Sequence, residues 1–566
     1  MDEIIFELSA PLSGTGNGMI PDFIIKCVLV PAVIAVGMFL VLKKTNADNK
    51  IKTVIISVSF FILFASLFVF LKEAGIYTYI SGKTKESDFV EKNYIDPSNV
   101  NITFPENKKN LVMIYAESME DAYADKESGG AFDDNRIPHL TELAKENTDF
   151  RGDKDVLNGG YAMPGTTWTM AGLFATSSGL PIKMSIGEND MSVAEHFFPN
   201  IITLGDILEK EGYDQYFVLG SDATFGGRDS YFKDHGNFTI KDVKAARNEG
   251  FIHKDYDVFW GMEDEKLFFY AKQTIEEAAT NNRPFNVTMI TVDTHFPGYT
   301  CDLCEDVIKE KKTSYGDVLY CSSKQINEFV MWLKQQPCYE NTVIVITGDH
   351  PTMEEGYVKV SDDYIRKTYT CFINAAKTPA EDAYRDYSTF DIFPTVISAL
   401  GASIEGDRLG LGTDLFSENK TLSEEYGFEK EAQELNKNSK LLKELESPGE
   451  EIEKIEESLK GIDKPIVKRE KAKTEKGNDT EEFEVSVSDL SKMRDDIVLV
   501  EIRITGKNGN VFEKVIKRMD EKEDGTYHLK FKTKKFLGIK KLRYDILVTV
   551  PLDKDKGTAV TVNVSK

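Results

Sequence analysis

The sequence predicts an α/β protein with a membrane hairpin before its main domain and a small antiparallel β-domain after it. Two apolar runs precede residue 72, each close to the roughly 20 residues that a membrane-spanning helix needs. Strands and helices alternate from residue 107 to about residue 415, which is typical of a mainly parallel sheet. Residues 481–566 alternate apolar and polar side chains in short runs, the pattern of a small β-sandwich.

The predicted membrane region covers residues 1–85, with spanning helices at 23–42 and 53–71. The short loop between the two helices carries four lysines and one aspartate. The positive-inside rule therefore places this loop in the cytoplasm. We expect a multi-pass protein of the cell membrane whose residues after the hairpin lie outside the cytoplasm. Two buried helices of a soluble domain are the alternative, which the length of the runs and the lysines disfavour.

The formal net charge of the chain is −25. This charge excludes nucleic acid as an expected partner, because phosphate backbones need clustered Lys and Arg. It would also repel an anionic membrane surface, so the apolar hairpin is the part that we expect to hold the protein at the membrane.

Two further segments flank the main domain, which we place at residues 107–415. Residues 86–106 are polar and contain two prolines, which indicates a juxtamembrane linker. Residues 416–480 are rich in Glu and Lys, with apolar residues at helical spacing and then a flexible linker from residue 463. The last domain, at 481–566, contains no residues that indicate a catalytic site.

Five of the six cysteines follow the hairpin, at positions 301, 304, 321, 338 and 371. The first three are close in sequence, and an oxidising compartment favours a disulfide among them, although the pairing cannot be read from the sequence. A zinc site beginning at Cys301 and Cys304 is the weaker alternative, because no second cysteine pair with suitable spacing follows.

Four apolar strands of the main domain end in polar residues. In open α/β sheets ligands bind at the carboxyl ends of the strands, so we expect these four ends to converge on one site. The strands and the residues that follow them are LVMIY before Glu117 and Ser118, QYFVL before Ser221 and Asp222, NVTMITV before Asp293 and His295, and TVIVIT before Asp349 and His350.

Glu117, Asp349 and His350 supply two carboxylates and one imidazole, a set that suits a divalent cation such as Mn²⁺, Mg²⁺ or Zn²⁺. A single Glu after a strand is more often a solvated end or a helix cap, so the prediction depends on the convergence of the strands. The first strand end offers one carboxylate and not an adjacent pair, which favours one ion over two.

The segment GGYAMPGTTWTMAGLFATSSGLP passes from a Gly-rich loop into a helix that begins near Thr169. The N-terminus of a helix favours an anion and a forming alkoxide. A nearby cation lowers the pKa of a hydroxyl, so a threonine at this point could attack phosphorus. Thr166 and Thr167 are rival nucleophiles, and a simple N-cap threonine is the alternative without chemistry.

Several of these segments resemble the phosphoglycerol transferase and lipoteichoic acid synthase group of the alkaline phosphatase (sulfatase-like) superfamily. The resemblance covers about residues 107–416 and is strongest to the phosphoglycerol transferases of periplasmic glucans. The segments that carry it are NLVMIYAESMEDAY, PGTTWTMAGLFATSSGLP, NIITLGDILEKEGY, TFGGRDSYFKDHG, TVDTHFP, TVIVITGDH, STFDIFPTVISALG and DRLGLGTDLFS.

The resemblance implies one divalent ion, with Mn²⁺ favoured over Mg²⁺ or Zn²⁺. The ligands that it implies are Glu117, Thr169, Asp349 and His350. It also implies that Thr169 is the nucleophile. As a hypothesis about the mechanism, we expect His295 to be a second catalytic residue that protonates the departing oxygen, or else to bind the glycerol hydroxyls. The implied substrate contacts are Arg228, His295 and Asp222. Lipoteichoic acid synthases have an aromatic residue where this chain has Gly226, so the resemblance leaves the acceptor open.

The activity that the resemblance implies is transfer of sn-glycerol-1-phosphate from phosphatidylglycerol to a glycan or a teichoic acid (polyglycerolphosphate) acceptor through a phosphothreonine. A sulfatase or phosphodiesterase of the same fold, which passes the group to water, is one alternative. A phosphoethanolamine transferase, which uses a different lipid, is another. A non-catalytic surface protein that binds glycan through its C-terminal domain is a third and less expected one.

Overall fold

The computed structural model describes two stretches of the chain in most detail, one from residue 85 to 446 and one from 466 to 563. Positions 53 and 57 are also described. Within the two stretches, the described residues are 85–183, 197–301, 303, 314–354, 356–361, 364–379, 384–446 and eight strand segments between 466 and 563. The two predicted spanning helices otherwise lie outside the described residues. Among the described helices, none combines the length and the apolar character that a membrane crossing requires.

The chain divides into two compact units, Met1–Phe197 with Ile201–Lys443 and Phe198–Asn200 with Glu444–Lys566. The helices of the described residues are α1 (Phe89–Asn93), α2 (Pro138–Glu146), α3 (Thr169–Ser178), α4 (Leu204–Lys210), α5 (Arg228–Asp234), α6 (Val243–Glu249), α7 (Asp264–Ala278), α8 (Tyr315–Leu333), α9 (Ile392–Ala399), α10 (Leu422–Tyr426), α11 (Phe428–Leu435) and α12 (Lys440–Glu446). The strands of the first unit are β1 (Ile102–Thr103), β2 (Asn110–Ala116), β3 (Gly160–Tyr161), β4 (Asp214–Leu219), β5 (Thr239–Lys241), β6 (Phe285–Ile290), β7 (Thr342–Gly348), β8 (Lys367–Thr368), β9 (Thr370–Ile373), β10 (Ser403–Ile404), β11 (Arg408–Leu409) and β12 (Gly412–Thr413).

The central sheet of the first unit has six strands in the order β5-β4-β6-β2-β7-β9. All neighbours are parallel except the edge strand β9, which pairs antiparallel with β7. The four strands predicted from apolar runs are β4, β6, β2 and β7, and they are adjacent in the sheet. The prediction of an α/β domain with a mainly parallel sheet is therefore confirmed.

The register of the sheet aligns the carboxyl ends of these four strands at one edge. Ala116, the last residue of β2, lies opposite Gly348, the last residue of β7. Ile290, at the end of β6, lies opposite both Tyr115 and Leu219. The residues that follow the four strands therefore leave the sheet at one edge.

The core lies on both faces of this sheet, as expected for parallel strands whose every residue is apolar or buried. All seven residues of β2 and all seven of β7 are buried. Val112 and Ile114 belong to a core cluster with α2, α7 and α8. On the other face, the Tyr115 hydroxyl lies 2.8 Å from the Thr176 hydroxyl of α3.

Residues 86–106 are part of the folded unit, which corrects the prediction of a polar linker. Phe89 and Val90 of α1 are buried, and Ile102 of β1 pairs antiparallel with Ile404 of β10. The linker was predicted from polar residues and prolines, but these few apolar side chains are enough to pack the segment against the domain.

The second unit contains two four-stranded antiparallel sheets, of order β13-β14-β18-β17 and β16-β15-β19-β20. The runs singled out in the sequence form β15, β16, β18, β19 and β20, and the packing of the two sheets as a sandwich stays a prediction. The strands are β13 (Ile466–Lys473), β14 (Asp479–Val487), β15 (Leu499–Gly506), β16 (Val511–Ile516), β17 (Asp520–Glu521), β18 (Tyr527–Thr533), β19 (Leu542–Asp553) and β20 (Thr558–Asn563).

Strand β13 corrects the prediction of a flexible linker over residues 463–480. The segment is rich in Lys and Glu, which resembles a linker in composition, but it pairs antiparallel with β14 over eight residues. Cross-strand charges complement each other in this ladder, as between Lys468 and Glu484 at 3.7 Å. The partner strand therefore supplies the stability that the composition of β13 alone does not.

Candidate metal centre and active site

Four residues from separate parts of the first unit meet at the carboxyl edge of the sheet. Glu117 follows β2, Asp349 and His350 follow β7, and Thr169 begins α3. Ligand atoms of Glu117, Asp349 and His350 all lie within 4.8 Å of one another. The Thr169 Oγ1 atom lies 3.4 Å from Glu117 Oε2 and 3.3 Å from His350 Nε2. The three charged or ionisable side chains are almost completely buried.

Helix α3 is held against the end of β7 by a contact that only glycine allows. A Cβ atom on Gly172 would lie 2.1 Å from the carbonyl oxygen of Asp349. The main chain of the helix therefore touches the main chain directly after β7, and Thr169, three residues earlier, is brought to the side chains of Glu117 and His350. Trp168 is the N-cap residue of α3, so Thr169 does not have the N-cap role that the sequence left open.

The two rival threonines occupy different environments. The Thr166 hydroxyl is buried and donates to the carbonyl oxygen of Met163 at 2.9 Å. Thr167 is exposed. Of the three threonines, Thr169 is the one with a hydroxyl in contact with Glu117 and His350, which favours it as the nucleophile.

Ser118 connects two residues of this cluster, Glu117 and Asp349. Its backbone N–H donates to Asp349 Oδ1 at 2.7 Å, and its hydroxyl donates to Glu117 Oε1 at 2.7 Å. The backbone of Ser118 has a φ of 52°, in the left-handed region that residues other than glycine rarely adopt. Strained backbone of this kind is often retained where it serves a site.

Further side chains fix the main chain of Glu117, and sequence reasoning missed their role. The Glu117 N–H donates to Thr291 Oγ1 at 2.9 Å, and the Thr294 hydroxyl donates to the Glu117 carbonyl at 2.6 Å. The Tyr315 hydroxyl in turn donates to the Thr294 carbonyl at 2.7 Å. Thr291 and Thr294 lie within four residues of the end of β6, so the strand-end rule that selected Asp293 and His295 could also have found them.

The electrostatics of the cluster favour a cation. Burial and the neighbouring charge of Glu117 raise the pKa of Asp349 to about 8. Burial also acts to raise the pKa of Glu117, but electrostatic interactions with His350 and His295 lower it below its usual value. Two buried carboxylates at this separation repel each other, and a divalent cation between them would remove that repulsion.

The donor atoms fit a metal ion. Asp349 Oδ2 is buried and accepts no hydrogen bond from the described residues. His350 Nδ1 lies 2.8 Å from the Pro351 carbonyl. The tautomer that donates this bond leaves Nε2 with a lone pair, and Nε2 lies 3.5 Å from both Glu117 Oε1 and Asp349 Oδ2. The three residues therefore form a candidate site for a divalent metal ion.

The model of the sulfatase family matches residues 109–402 of the chain. This chain belongs to the sulfatase family. The resemblance stated from the sequence is thereby confirmed at the level of the family.

Curated relatives of this sulfatase-family chain include phosphoglycerol transferase I from Escherichia coli strain SMS-3-5. The two sequences are 32% identical over 332 residues, which is 57% of this chain and 41% of the relative. The protein of the same name from Shigella boydii serotype 18 gives the same identity and coverage. The matched region thus spans less than half of the length of these relatives.

Two solved structures to which the chain is similar have low sequence identity to it. A protein of the alkaline phosphatase superfamily from Vibrio parahaemolyticus is 17% identical, covers 80% of this chain and 91% of its own, and gives a TM-score of 0.42. A lipoteichoic acid synthase from Listeria monocytogenes is 20% identical, covers 59% of this chain and 82% of its own, and gives a TM-score of 0.39.

The expected substrate contacts of this sulfatase-family chain lie after β4 and β6. Arg228 begins α5, is buried, and donates to the carbonyls of Phe225 at 2.9 Å and Asp222 at 3.0 Å. The carboxylate of Asp222 lies 2.7 Å from the Lys244 ammonium and accepts from the Thr224 N–H. Asp222 is therefore already engaged by other groups, whereas its carbonyl orients Arg228.

His295 is half-buried, and its ring centroid lies 4.9 Å from that of Trp260. An electrostatic interaction with His295 contributes to lowering the pKa of Glu117, so His295 lies within electrostatic reach of the candidate metal site. Asp293 makes a different set of contacts. Its Oδ1 accepts from the Asp264 N–H at 3.2 Å, and the Asp264 carboxylate accepts from the Val292 and Asp293 N–H groups. This reciprocal pairing fixes the segment that carries His295 to the start of α7.

The described cysteines are not among the residues of the candidate metal site. Cys321 of α8 takes part in a disulfide, in line with the disulfide that the sequence predicts for this region. Cys338 and Cys371 have free thiols. Burial raises the pKa of the Cys338 thiol, so neither the disulfide nor this thiol indicates a nucleophile.

Proposed function

We propose that this chain is a membrane-anchored, extracytoplasmic phosphoglycerol transferase. It moves sn-glycerol-1-phosphate from phosphatidylglycerol to a glycan or teichoic acid acceptor, through a phosphothreonine at Thr169. The observation that carries the proposal is the position of Thr169 Oγ1, 3.4 Å from Glu117 and 3.3 Å from His350, at the start of α3. The relatives named phosphoglycerol transferase I support the choice of transferred group.

The proposed metal is Mn²⁺, with Mg²⁺ and Zn²⁺ as alternatives, held by Glu117, Asp349 and His350 with Thr169 as the fourth ligand. When bound, a divalent cation supplies a lowered pKa for the Thr169 hydroxyl and charge stabilisation for the phosphoryl oxygens. The membrane hairpin predicted at residues 23–42 and 53–71 would keep this site close to its lipid donor and so raise the effective concentration of the donor.

In the first half-reaction Thr169 Oγ1 gives its hydroxyl proton to solvent and attacks the phosphorus of phosphatidylglycerol. The bond between phosphorus and the diacylglycerol oxygen breaks, and diacylglycerol leaves with a proton that His295 donates. The N–H groups in the first turn of α3, together with Arg228, offset negative charge on the phosphoryl oxygens. In the second half-reaction an acceptor hydroxyl attacks the same phosphorus and gives up its proton to His295. The bond between phosphorus and Thr169 Oγ1 breaks, and Oγ1 takes a proton back from solvent.

Arg228 and His295 are the proposed contacts of the head group. A guanidinium presents paired donors that match phosphate oxygens, which suits Arg228 for this role. The ion pair of Asp222 with Lys244 at 2.7 Å favours a positioning role for Asp222, through its carbonyl on Arg228.

The membership of the sulfatase family favours one second candidate, a hydrolase that passes the group to water. A hydrolase would release free glycerol phosphate from phosphatidylglycerol and leave an added glycan unmodified. Both enzymes would release diacylglycerol, but the transferase would place phosphoglycerol on the acceptor.

The test of the proposed function is mass spectrometry of the full-length chain after incubation with phosphatidylglycerol and Mn²⁺ but without acceptor. We expect a phosphoglycerol adduct on the peptide that contains Thr169. The variant Thr169→Ala should lose the adduct, whereas the matched control Thr167→Ala, two residues earlier and exposed, should keep it. An adduct on Thr166 or Thr167 would show that the nucleophile is wrong, and absence of both adduct and diacylglycerol would refute the proposed reaction.

A further inference from the structure

Four aromatic rings form a continuous group beside the candidate site, here called the aromatic wall: Phe225, Phe259, Trp260 and Tyr299. Each of these side chains is half-buried, so each keeps part of its surface accessible. The ring centroids of Phe225 and Trp260 are 5.8 Å apart, those of Phe259 and Trp260 are 6.4 Å apart, and Phe259 stacks on Tyr299 at 5.8 Å. The proposed function assigns none of these residues a role.

The aromatic wall connects the two proposed head-group contacts. The Arg228 guanidinium lies 5.5 Å from the centroid of the Phe225 ring. At the other end, the Trp260 ring meets the His295 ring edge to face at 4.9 Å. A substrate group that rests on Trp260 is therefore adjacent to the side chains that we assign to the phosphoglycerol group.

The turn that presents Trp260 is built with strain. Val258 and Gly261 exchange two backbone hydrogen bonds, of 3.0 and 2.9 Å, so Phe259 and Trp260 are the two central residues of a tight turn. Phe259 has a φ of 58°, at a turn position that glycine usually occupies. A bulky aromatic residue in this conformation costs stability and persists mainly where its placement serves a site.

The turn is also anchored to the sheet. Gly261 has a φ of 136°, and a Cβ on it would lie 2.7 Å from the carbonyl oxygen of Gly220, directly after β4. The Met262 N–H donates to the same carbonyl at 2.9 Å. Trp260 is therefore held at a fixed height above the carboxyl edge of the sheet, where the head-group contacts lie.

The chemistry of this surface favours a sugar ring. A pyranose has an apolar C–H face and a polar rim of hydroxyls, and its C–H groups interact well with the electron-rich face of an indole. His295 and Arg228, at the two ends of the wall, can bind hydroxyl groups at such a rim. An acyl chain would gain nothing from these charged neighbours, and a chain of glycerol phosphates has no flat apolar face.

Charge supports the same choice. The chain carries a formal net charge of −25, and a strongly acidic protein repels a polyanionic acceptor such as polyglycerolphosphate. A neutral glycan meets no such repulsion. We propose that the aromatic wall is the acceptor subsite and that it binds a neutral sugar ring against Trp260. The assignment of this sugar as the acceptor rests on the proposed function, whereas the binding of a sugar at this surface does not.

The test measures binding without turnover. The full-length chain in nanodiscs that lack phosphatidylglycerol is titrated by calorimetry with a neutral glucose oligosaccharide and, separately, with a short polyglycerolphosphate. We expect the oligosaccharide to bind more tightly than the polyanion. Trp260→Ala should weaken oligosaccharide binding at least tenfold, and Trp260→Phe, which keeps a ring, should restore part of the affinity.

The matched control is Trp332→Ala on α8, another half-buried tryptophan, which stacks on Phe329 at 5.7 Å outside the aromatic wall. This variant should bind the oligosaccharide as the wild type does. Three results would overturn the inference. They are equal oligosaccharide affinity of wild type and Trp260→Ala, tighter binding of the polyanion than of the oligosaccharide, and a wild type that binds no oligosaccharide. Oligosaccharide binding that depends on Trp260, in a protein that releases no diacylglycerol, would instead refute the proposed function and leave the sugar site standing.

Discussion

The contact between α3 and the end of β7 should set the position of the nucleophile, and Gly172→Ala tests this directly. The new Cβ would lie 2.1 Å from the Asp349 carbonyl oxygen. Real side chains stay about 3 Å or more from such an atom, so the helix and the strand end must separate by about 1 Å. A displacement of about 1 Å between reacting groups can cost about 100-fold in rate. We therefore predict that kcat/KM for diacylglycerol release falls about 100-fold, equivalent to about 2.7 kcal/mol.

The control for this prediction is Gly205→Ala on α4, where the new Cβ would lie 2.2 Å from the carbonyl oxygen of His235. The two substitutions crowd a main-chain carbonyl equally, and each should destabilise the fold by about 1–3 kcal/mol. Thermal unfolding should therefore give similar decreases in Tm, whereas the large loss of turnover is expected for Gly172→Ala alone. Equal losses of turnover in both variants, or full activity of Gly172→Ala, would refute the reasoning.

Three further predictions concern the buried charges. Ser118→Ala removes the hydroxyl that donates to Glu117 at 2.7 Å. It should weaken Mn²⁺ binding about 10–100-fold in a calorimetric titration. Unchanged affinity would contradict a role of Ser118 in orienting Glu117. Burial raises the pKa of Asp349 to about 8, so Mn²⁺ must displace a proton from Asp349 below that pH. The apparent Kd for Mn²⁺ should therefore rise about tenfold per pH unit as the pH falls from 8 to 6. A Kd that does not change with pH would argue against Asp349 as a ligand. Burial also raises the pKa of Glu431 from 4.5 to about 8, so the stability associated with its protonated form is fully present below about pH 4.5 and is lost as the pH rises through 8. Glu431→Gln should flatten the pH dependence of the urea midpoint over this range, and an unchanged slope would assign the dependence to other groups.

Much of the first unit could be predicted from the sequence because parallel strands are buried on both faces. Such strands appear as uninterrupted apolar runs, and the residue after each run then marks the carboxyl edge of the sheet. Glu117, Asp349 and His350 could be selected in this way, without knowledge of which strands are neighbours. The choice of Thr169 as the proposed nucleophile came from a resemblance and not from its local pattern, since Thr166 and Thr167 lie in the same loop.

The tertiary structure decided the features that depend on contacts between distant segments. The choice among the three threonines depends on Gly172 touching Asp349, a contact across 177 positions of sequence. Trp260 lies in a segment with no strand or helix pattern of its own, so its place beside His295 could not be read from the residues around it. Strand β13 has the composition of a linker and is a strand because β14 pairs with it. Burial and local periodicity depend on residues that are close in sequence, so the sequence predicts them. Close main-chain contacts, cross-strand partners and ring contacts depend on residues that are distant in sequence and meet only in the folded chain.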